Sequence, residues 1–174
     1  MTPITNGILT LNKPPGMSSR QAVDLVKRLV RPAKVGHAGT LDPLACGVLV
    51  VSIGKATRLI EFVQQKPKRY QATFLLGRTS PTEDVEGEIS ELVDPPIPSR
   101  AEIERACQHF IGTIEQRPPA FSAIKVAGRR AYDLARGGKT VELAPPPVVI
   151  YDIAILEYEY PRLTLDVRCG AGTY

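Results

Sequence analysis

Gly36-His37-Ala38-Gly39-Thr40-Leu41-Asp42-Pro43-Leu44-Ala45-Cys46-Gly47 runs straight into Val48-Leu49-Val50-Val51-Ser52-Ile53, the most apolar run of the chain. The second part has the length and β-branched content of a buried strand, and the first has the glycines and proline of a loop that feeds it. That loop carries one carboxylate, Asp42, and one of the two histidines, His37. Two readings of Asp42 stand side by side. An Asp before Pro is a common turn residue, because its side chain bonds nearby backbone and the proline holds it extended. A carboxylate on a loop at the mouth of a rigid strand is also a form that catalytic acids take.

The rest of the chain narrows the choice. Its 174 residues, 43% of them hydrophobic, suit a soluble globular fold of ordinary domain size. No apolar run approaches the ~20 residues of a membrane-spanning helix, and Met1-Thr-Pro-Ile-Thr-Asn has no leader-like pattern, so a cytoplasmic protein is expected. Cys46, Cys107 and Cys169 form neither a disulfide framework nor a zinc pattern, and two histidines without clustered acids argue against a metal site. Charge is unevenly spread. Lys13 to His37 nets +5 and Phe121 to Lys139 nets +4, whereas Glu83 to Glu104 nets −7. Basic segments on either side of an acidic one suggest a polarised surface with a polyanion on one side; ordinary solvated faces are the alternative.

Gly7 to Asn12 reads as a short strand stopped by Lys13-Pro14-Pro15-Gly16. Lys13 at that turn is either a phosphate ligand near a helix N-terminus or, as surface lysines usually are, simply solvated. Ser18 with Gln21 forms a capping box, and Ala22, Leu25, Val26, Leu29 and Val30 form the apolar stripe of the helix that follows. Lys55 to Gln65 is expected to be helical, with Leu59, Ile60, Phe62 and Val63 as its apolar contacts. Lys68 to Gly77 alternates Tyr70, Ala72, Phe74 and Leu76 on one face of a strand. Tyr70 is there either a core aromatic or the wall of a cleft. Thr82 to Glu91 reads as an acidic hairpin. Ser99 with Glu102 caps a helix with the stripe Ile103, Ala106, Cys107, Phe110 and Ile111.

Gln116 to Tyr132 fits neither helical nor strand periodicity. Its prolines, aromatics and dense cations, Lys125, Arg129 and Arg130 among them, suit contact with RNA or DNA, with a solvated loop as the alternative, and a short helix is expected over Ala131 to Arg136. Val148 to Leu156 and Leu163 to Val167 form a hairpin around Pro161-Arg162. The order of elements indicates an α+β fold with a mixed, largely antiparallel sheet flanked by helices.

Four blocks taken together resemble one family, the TruB-type tRNA pseudouridine synthases. They are Asn12-Lys13-Pro14-Pro15-Gly16-Met17-Ser18-Ser19, Gly36 to Ala45, Lys68-Arg69-Tyr70, and Pro118-Pro119-Ala120-Phe121-Ser122-Ala123-Ile124-Lys125, with Cys169-Gly170-Ala171-Gly172-Thr173-Tyr174 as an incomplete fifth. The resemblance implies isomerisation of uridine 55 in the tRNA T loop to pseudouridine by a monomeric protein, without cofactor or metal. It makes Asp42 the catalytic aspartate, attacking the sugar or abstracting its proton, and Tyr70 the residue that stacks on the flipped base. His37 takes space vacated near that base. Lys13 supports the site loop or reaches RNA, Lys125, Arg129 and Arg130 lie in a basic insertion at about 117–140 that closes on the T arm, and Tyr174 belongs to the substrate site.

Two departures from the family pattern stand out. Cys46 takes a place where the family often has Thr or Ser. The family continues from Gly-Thr-Tyr into an Ile-Arg pair whose arginine partners the catalytic aspartate, whereas the sequence stops at Tyr174. A partial catalytic domain over 1–174, without the C-terminal PUA domain and weakly active alone, is therefore the expectation. A guide-RNA-dependent relative and a non-catalytic RNA-binding or RNA-folding module are the alternatives.

Overall fold

In the structure, a computed structural model describing residues 5–117 and 145–174 and the backbone of 125–126 and 129–130, the apolar run is a strand with a partner on each side. The chain forms two compact units, Met1–Lys66 and Pro67–Tyr174. In the first, β1 (Gly7–Lys13) and β2 (Val35–His37) flank β3 (Gly47–Ile53) in an antiparallel sheet. Gly7 pairs with Ile53 and Lys13 with Gly47 on one edge; His37 pairs with Val51 on the other. The two-residue period turns Leu49, Val51 and Ile53 to one face, where α1 (Ser19–Leu29) covers them.

The capping box at the start of α1 is present: Ser18 Oγ accepts from the Gln21 N–H at 3.2 Å, and Gln21 Oε1 accepts from the Ser18 N–H at 2.8 Å. The buried stripe differs from the expected one. Ala22, Val23, Val26 and Val30 are buried, whereas Leu25 is 47% and Leu29 86% exposed. At 100° per residue the arc in contact with the sheet runs from Ala22 through Val26 and Val30 to Val23, and the two leucines fall past its Ala22 edge. The expected helix from Lys55 is also corrected. Gly54–Leu59 is a 3-10 helix and only α2 (Ile60–Gln64) is α-helical, with Leu59 and Phe62 about half exposed rather than packed. Gly54 makes this turn with φ +61°, and a Cβ there would stand 2.0 Å from the Thr5 carbonyl oxygen, so only glycine fits.

In the second unit β4 (Lys68–Leu75) lies beside β11 (Arg162–Cys169), which pairs with β10 (Pro147–Glu159), which pairs with β7 (Gly112–Glu115), all antiparallel. β5 (Arg78–Thr79) and β6 (Ser90–Glu91) form the arms of a small hairpin, so the carboxylates from Glu83 to Glu88 sit in its connection rather than on its strands. β8 (Lys125–Val126) and β9 (Arg129–Arg130) form a two-stranded pair. α3 (Arg100–Gln108), capped by Ser99 and Glu102 as the sequence predicts, packs Ile103 and Cys107 against Leu163 and Leu165. Of the expected stripe, Ala106 is exposed within the helix, and Phe110 is exposed because it lies past the helix end at Gln108, where the helical period goes no further. β7 has no counterpart among the sequence expectations; four residues between a helix end and a proline-rich segment carry no readable alternation.

On the face of this sheet opposite α3, Arg69 grips Asp166, with Nε 2.9 Å from both carboxylate oxygens and Nη2 2.5 Å from Oδ2. The hydrogen bond from Arg69 holds the Asp166 carboxyl below the usual carboxylate range. A folded-state pKa below the unfolded one stabilises the fold at neutral pH, and that contribution disappears as pH falls through the folded value. Melting curves of wild type and Asp166→Asn should therefore separate at neutral pH and converge below pH ~4. Parallel curves across that range would show that the pair contributes nothing.

Candidate active site

The loop between β2 and β3 is tied to the entry of α1 on both sides of Asp42. Ser19, the first residue of α1, is buried, and its hydroxyl accepts from the Leu41 N–H at 2.8 Å and donates to the Leu41 carbonyl at 2.9 Å. The Pro43 carbonyl accepts from the Gly16 N–H at 2.8 Å, and the Asp42 carbonyl accepts from the Ala45 N–H at 3.1 Å, closing a turn. Residues 41 and 43 are thus each anchored, while the Asp42 side chain is exposed. His37 points Nδ1 at the Gly39 carbonyl, which only accepts, so that nitrogen carries a proton and the ring is oriented by its own loop. Of the two readings the sequence leaves for Asp42, the turn is present, and it leaves the carboxylate exposed.

Lys13 corrects an expectation. It is neither solvated nor placed to bind a phosphate. The residue is 0% exposed, and Nζ donates to the carbonyls of Met17 at 2.6 Å, Pro14 at 3.0 Å and Pro43 at 3.4 Å. An ammonium buried without a carboxylate must find an acceptor for each of its three N–H groups, and the Pro-Pro-Gly turn and the Asp42 loop supply them. Lys13 therefore joins the end of β1, the turn and the loop at one atom.

The second unit holds the other candidates. Tyr70 on β4 stands opposite Val167 and is 41% exposed, which removes the core reading. Tyr174 is 51% exposed, and its backbone N–H and carbonyl are both paired by the Gln116 side chain, at 2.9 and 2.6 Å. For Lys125, Arg129 and Arg130 the backbone alone is described, with Lys125 opposite Arg130; the helix expected over Ala131 to Arg136 lies outside the described residues. Elsewhere in the first unit, Lys27, Arg28, Arg31 and Lys34 are exposed. Sequence reasoning missed Ser19 and Gln116. A serine on the buried face of α1, in line with Ala22, Val23 and Val26, is a usable signal for the first; no local pattern marks the second.

Solved structures share this architecture. The chain is 31% identical to a protein in the crystal structure of a Cbf5-Nop10-Gar1 complex, with a TM-score of 0.70 over 97% of this chain and 40% of that one. It is 28% identical, with a TM-score of 0.65, to a chain of the archaeal box H/ACA sRNP Nop10-Cbf5 complex, covering 98% of this chain and 40% of that one. The α+β fold is thus one shared with chains of these complexes. Residues 27–174 match the TruB family pseudouridylate synthase (N terminal domain), and the chain belongs to that family. It is 45% identical over 169 residues to tRNA pseudouridine synthase B of Syntrophotalea carbinolica, covering 97% of this chain and 55% of that protein. With the protein of the same name from Bacteroides fragilis it shares 47% identity over 173 residues, covering 96% and 74%. The chain spans about half the length of the first of these relatives. Among the described residues no helix is long and apolar enough to cross a membrane.

Proposed function

We propose that the protein isomerises uridine to pseudouridine in the T loop of tRNA, at position 55, with Asp42 as its catalytic residue. The observation that carries this reading is the loop geometry: an exposed carboxylate whose two neighbours are fixed to buried groups. Family membership and the name shared by the relatives support the reaction and the tRNA substrate.

The chemistry asks for little beyond such a carboxylate. The C1′–N1 bond breaks, the base turns, C1′ bonds to C5, C5 loses its proton and N1 gains one. Asp42 contributes either by adding to C1′ as the uracil leaves or by taking a proton from the sugar, and both routes need a preorganised carboxylate facing the ribose. The target has to leave its stack to reach Asp42, and the accessible ring of Tyr70 offsets part of the stacking lost. His37 occupies the space the base vacates. Lys125, Arg129 and Arg130 neutralise T-arm phosphates, and Tyr174 borders the substrate.

The test uses the full gene product, an unmodified tRNA transcript and no other macromolecule. Pseudouridine is expected at the T-loop uridine alone. Conversion that requires an added guide RNA and partner proteins would assign the chain to the guide-dependent relatives, and binding without conversion would make it an RNA-binding or RNA-folding module.

A further inference from the structure

The Gln116 side chain does what a neighbouring strand would do. Its backbone extends the β7–β10 pairing by one bond, from the Gln116 N–H to the Pro146 carbonyl at 3.3 Å. Its side chain is half-buried and reaches a residue 58 positions away, where Oε1 accepts the Tyr174 N–H at 2.9 Å and Nε2 donates to the Tyr174 carbonyl at 2.6 Å. The segment it meets has left the β11 ladder. Gly170 is still held, its N–H on the Val149 carbonyl at 2.7 Å, and Thr173 Oγ1 bonds back to the Gly170 carbonyl at 3.2 Å. Gly172 then turns with φ +82°. Among the described residues, the hydrogen bonds that reach Tyr174 from outside its own turn come from Gln116. A carboxamide suits this task because it presents one donor side and one acceptor side in a plane, matching both backbone groups of one residue.

We propose that Gln116 is a positioning residue for Tyr174, fixing the backbone from which that ring is presented to RNA, and that it governs turnover rather than RNA capture. The inference rests on the assignment of Tyr174 to the substrate site.

The test compares Gln116→Leu, Gln116→Glu and Tyr174→Ala in the full gene product, reading kcat, KM, tRNA affinity and melting temperature. Gln116→Leu keeps the bulk and loses both bonds; it should lower kcat about tenfold, with KM and tRNA affinity within about twofold of wild type. Gln116→Glu at neutral pH sets a carboxylate against the Tyr174 carbonyl and should be as impaired. On acidification the protonated carboxyl regains a donor, so its kcat relative to wild type should recover. A merely stabilising role would lower the melting temperature without that recovery. Wild-type kcat in Gln116→Leu, or no recovery of Gln116→Glu in acid, overturns the inference while Tyr174→Ala remains impaired. An unimpaired Tyr174→Ala instead overturns the assignment of Tyr174, and the inference with it.

Discussion

Asp42→Asn should abolish pseudouridine formation, with kcat falling by at least about 10³-fold, because the amide can neither add to the sugar nor accept its proton. tRNA affinity should stay within about threefold of wild type, since phosphate contacts dominate RNA affinity and Asp42 supplies none. The two properties separate because of how the residue is held. Its position is set by Ser19 on Leu41 and by Gly16 and Lys13 on Pro43, all through backbone groups that the substitution leaves alone. An exposed Asp to Asn change there should also leave the melting temperature within about 2 °C. Single-turnover assays with tRNA labelled at C5 of uridine, in which isomerisation releases the label, read the chemistry directly. Filter binding reads the affinity. Residual turnover above about a tenth of wild type would remove Asp42 from the reaction. Joint loss of binding and turnover would make it a folding or docking residue.

What could be read in advance divides along a physical line. Features whose partners lie within a few residues were legible. The boxes at Ser18 with Gln21 and Ser99 with Glu102 form because donor and acceptor are three positions apart, and the alternation along Leu49, Val51 and Ile53 follows from the pleat alone. Features set by distant partners were not. Whether Val23 or Leu25 enters the core depends on where α1 meets the sheet, and nothing within the helix states that. The site followed the same rule. Asp42 stood out on its loop, but of the groups that hold it Ser19 showed only as part of a block quoted for its resemblance, and Lys13 reads from the sequence as a solvated lysine or a phosphate ligand. Lysine in a turn is normally solvated, and its burial here depends on carbonyls, one of them 30 residues away, that only the fold brings to it.

That dependence makes Lys13→Met the most disruptive change expected outside Asp42 itself. Methionine keeps most of the stem volume, so the core around β1 loses little packing. What disappears is the donor. The Pro43 carbonyl keeps its bond from Gly16, whereas those of Pro14 and Met17 lose Nζ and have no other donor among the described residues. A charge-assisted hydrogen bond contributes more than a neutral one, and the loss of two such bonds from the buried Lys13 should destabilise the fold by about 3 kcal/mol. The melting temperature should fall by roughly 10 °C, and the urea midpoint should fall at unchanged slope. Activity should fall less than in Asp42→Asn, about tenfold in kcat when assayed well below the new melting temperature. Ser19 and Gly16 still anchor the loop on both sides of Asp42, and only the third tie is gone. A variant as stable as wild type would mean that the buried ammonium is offset by its own desolvation and that the turn holds without it. Full kcat in a destabilised variant would confine Lys13 to folding and leave the placement of Asp42 to Ser19 and Gly16.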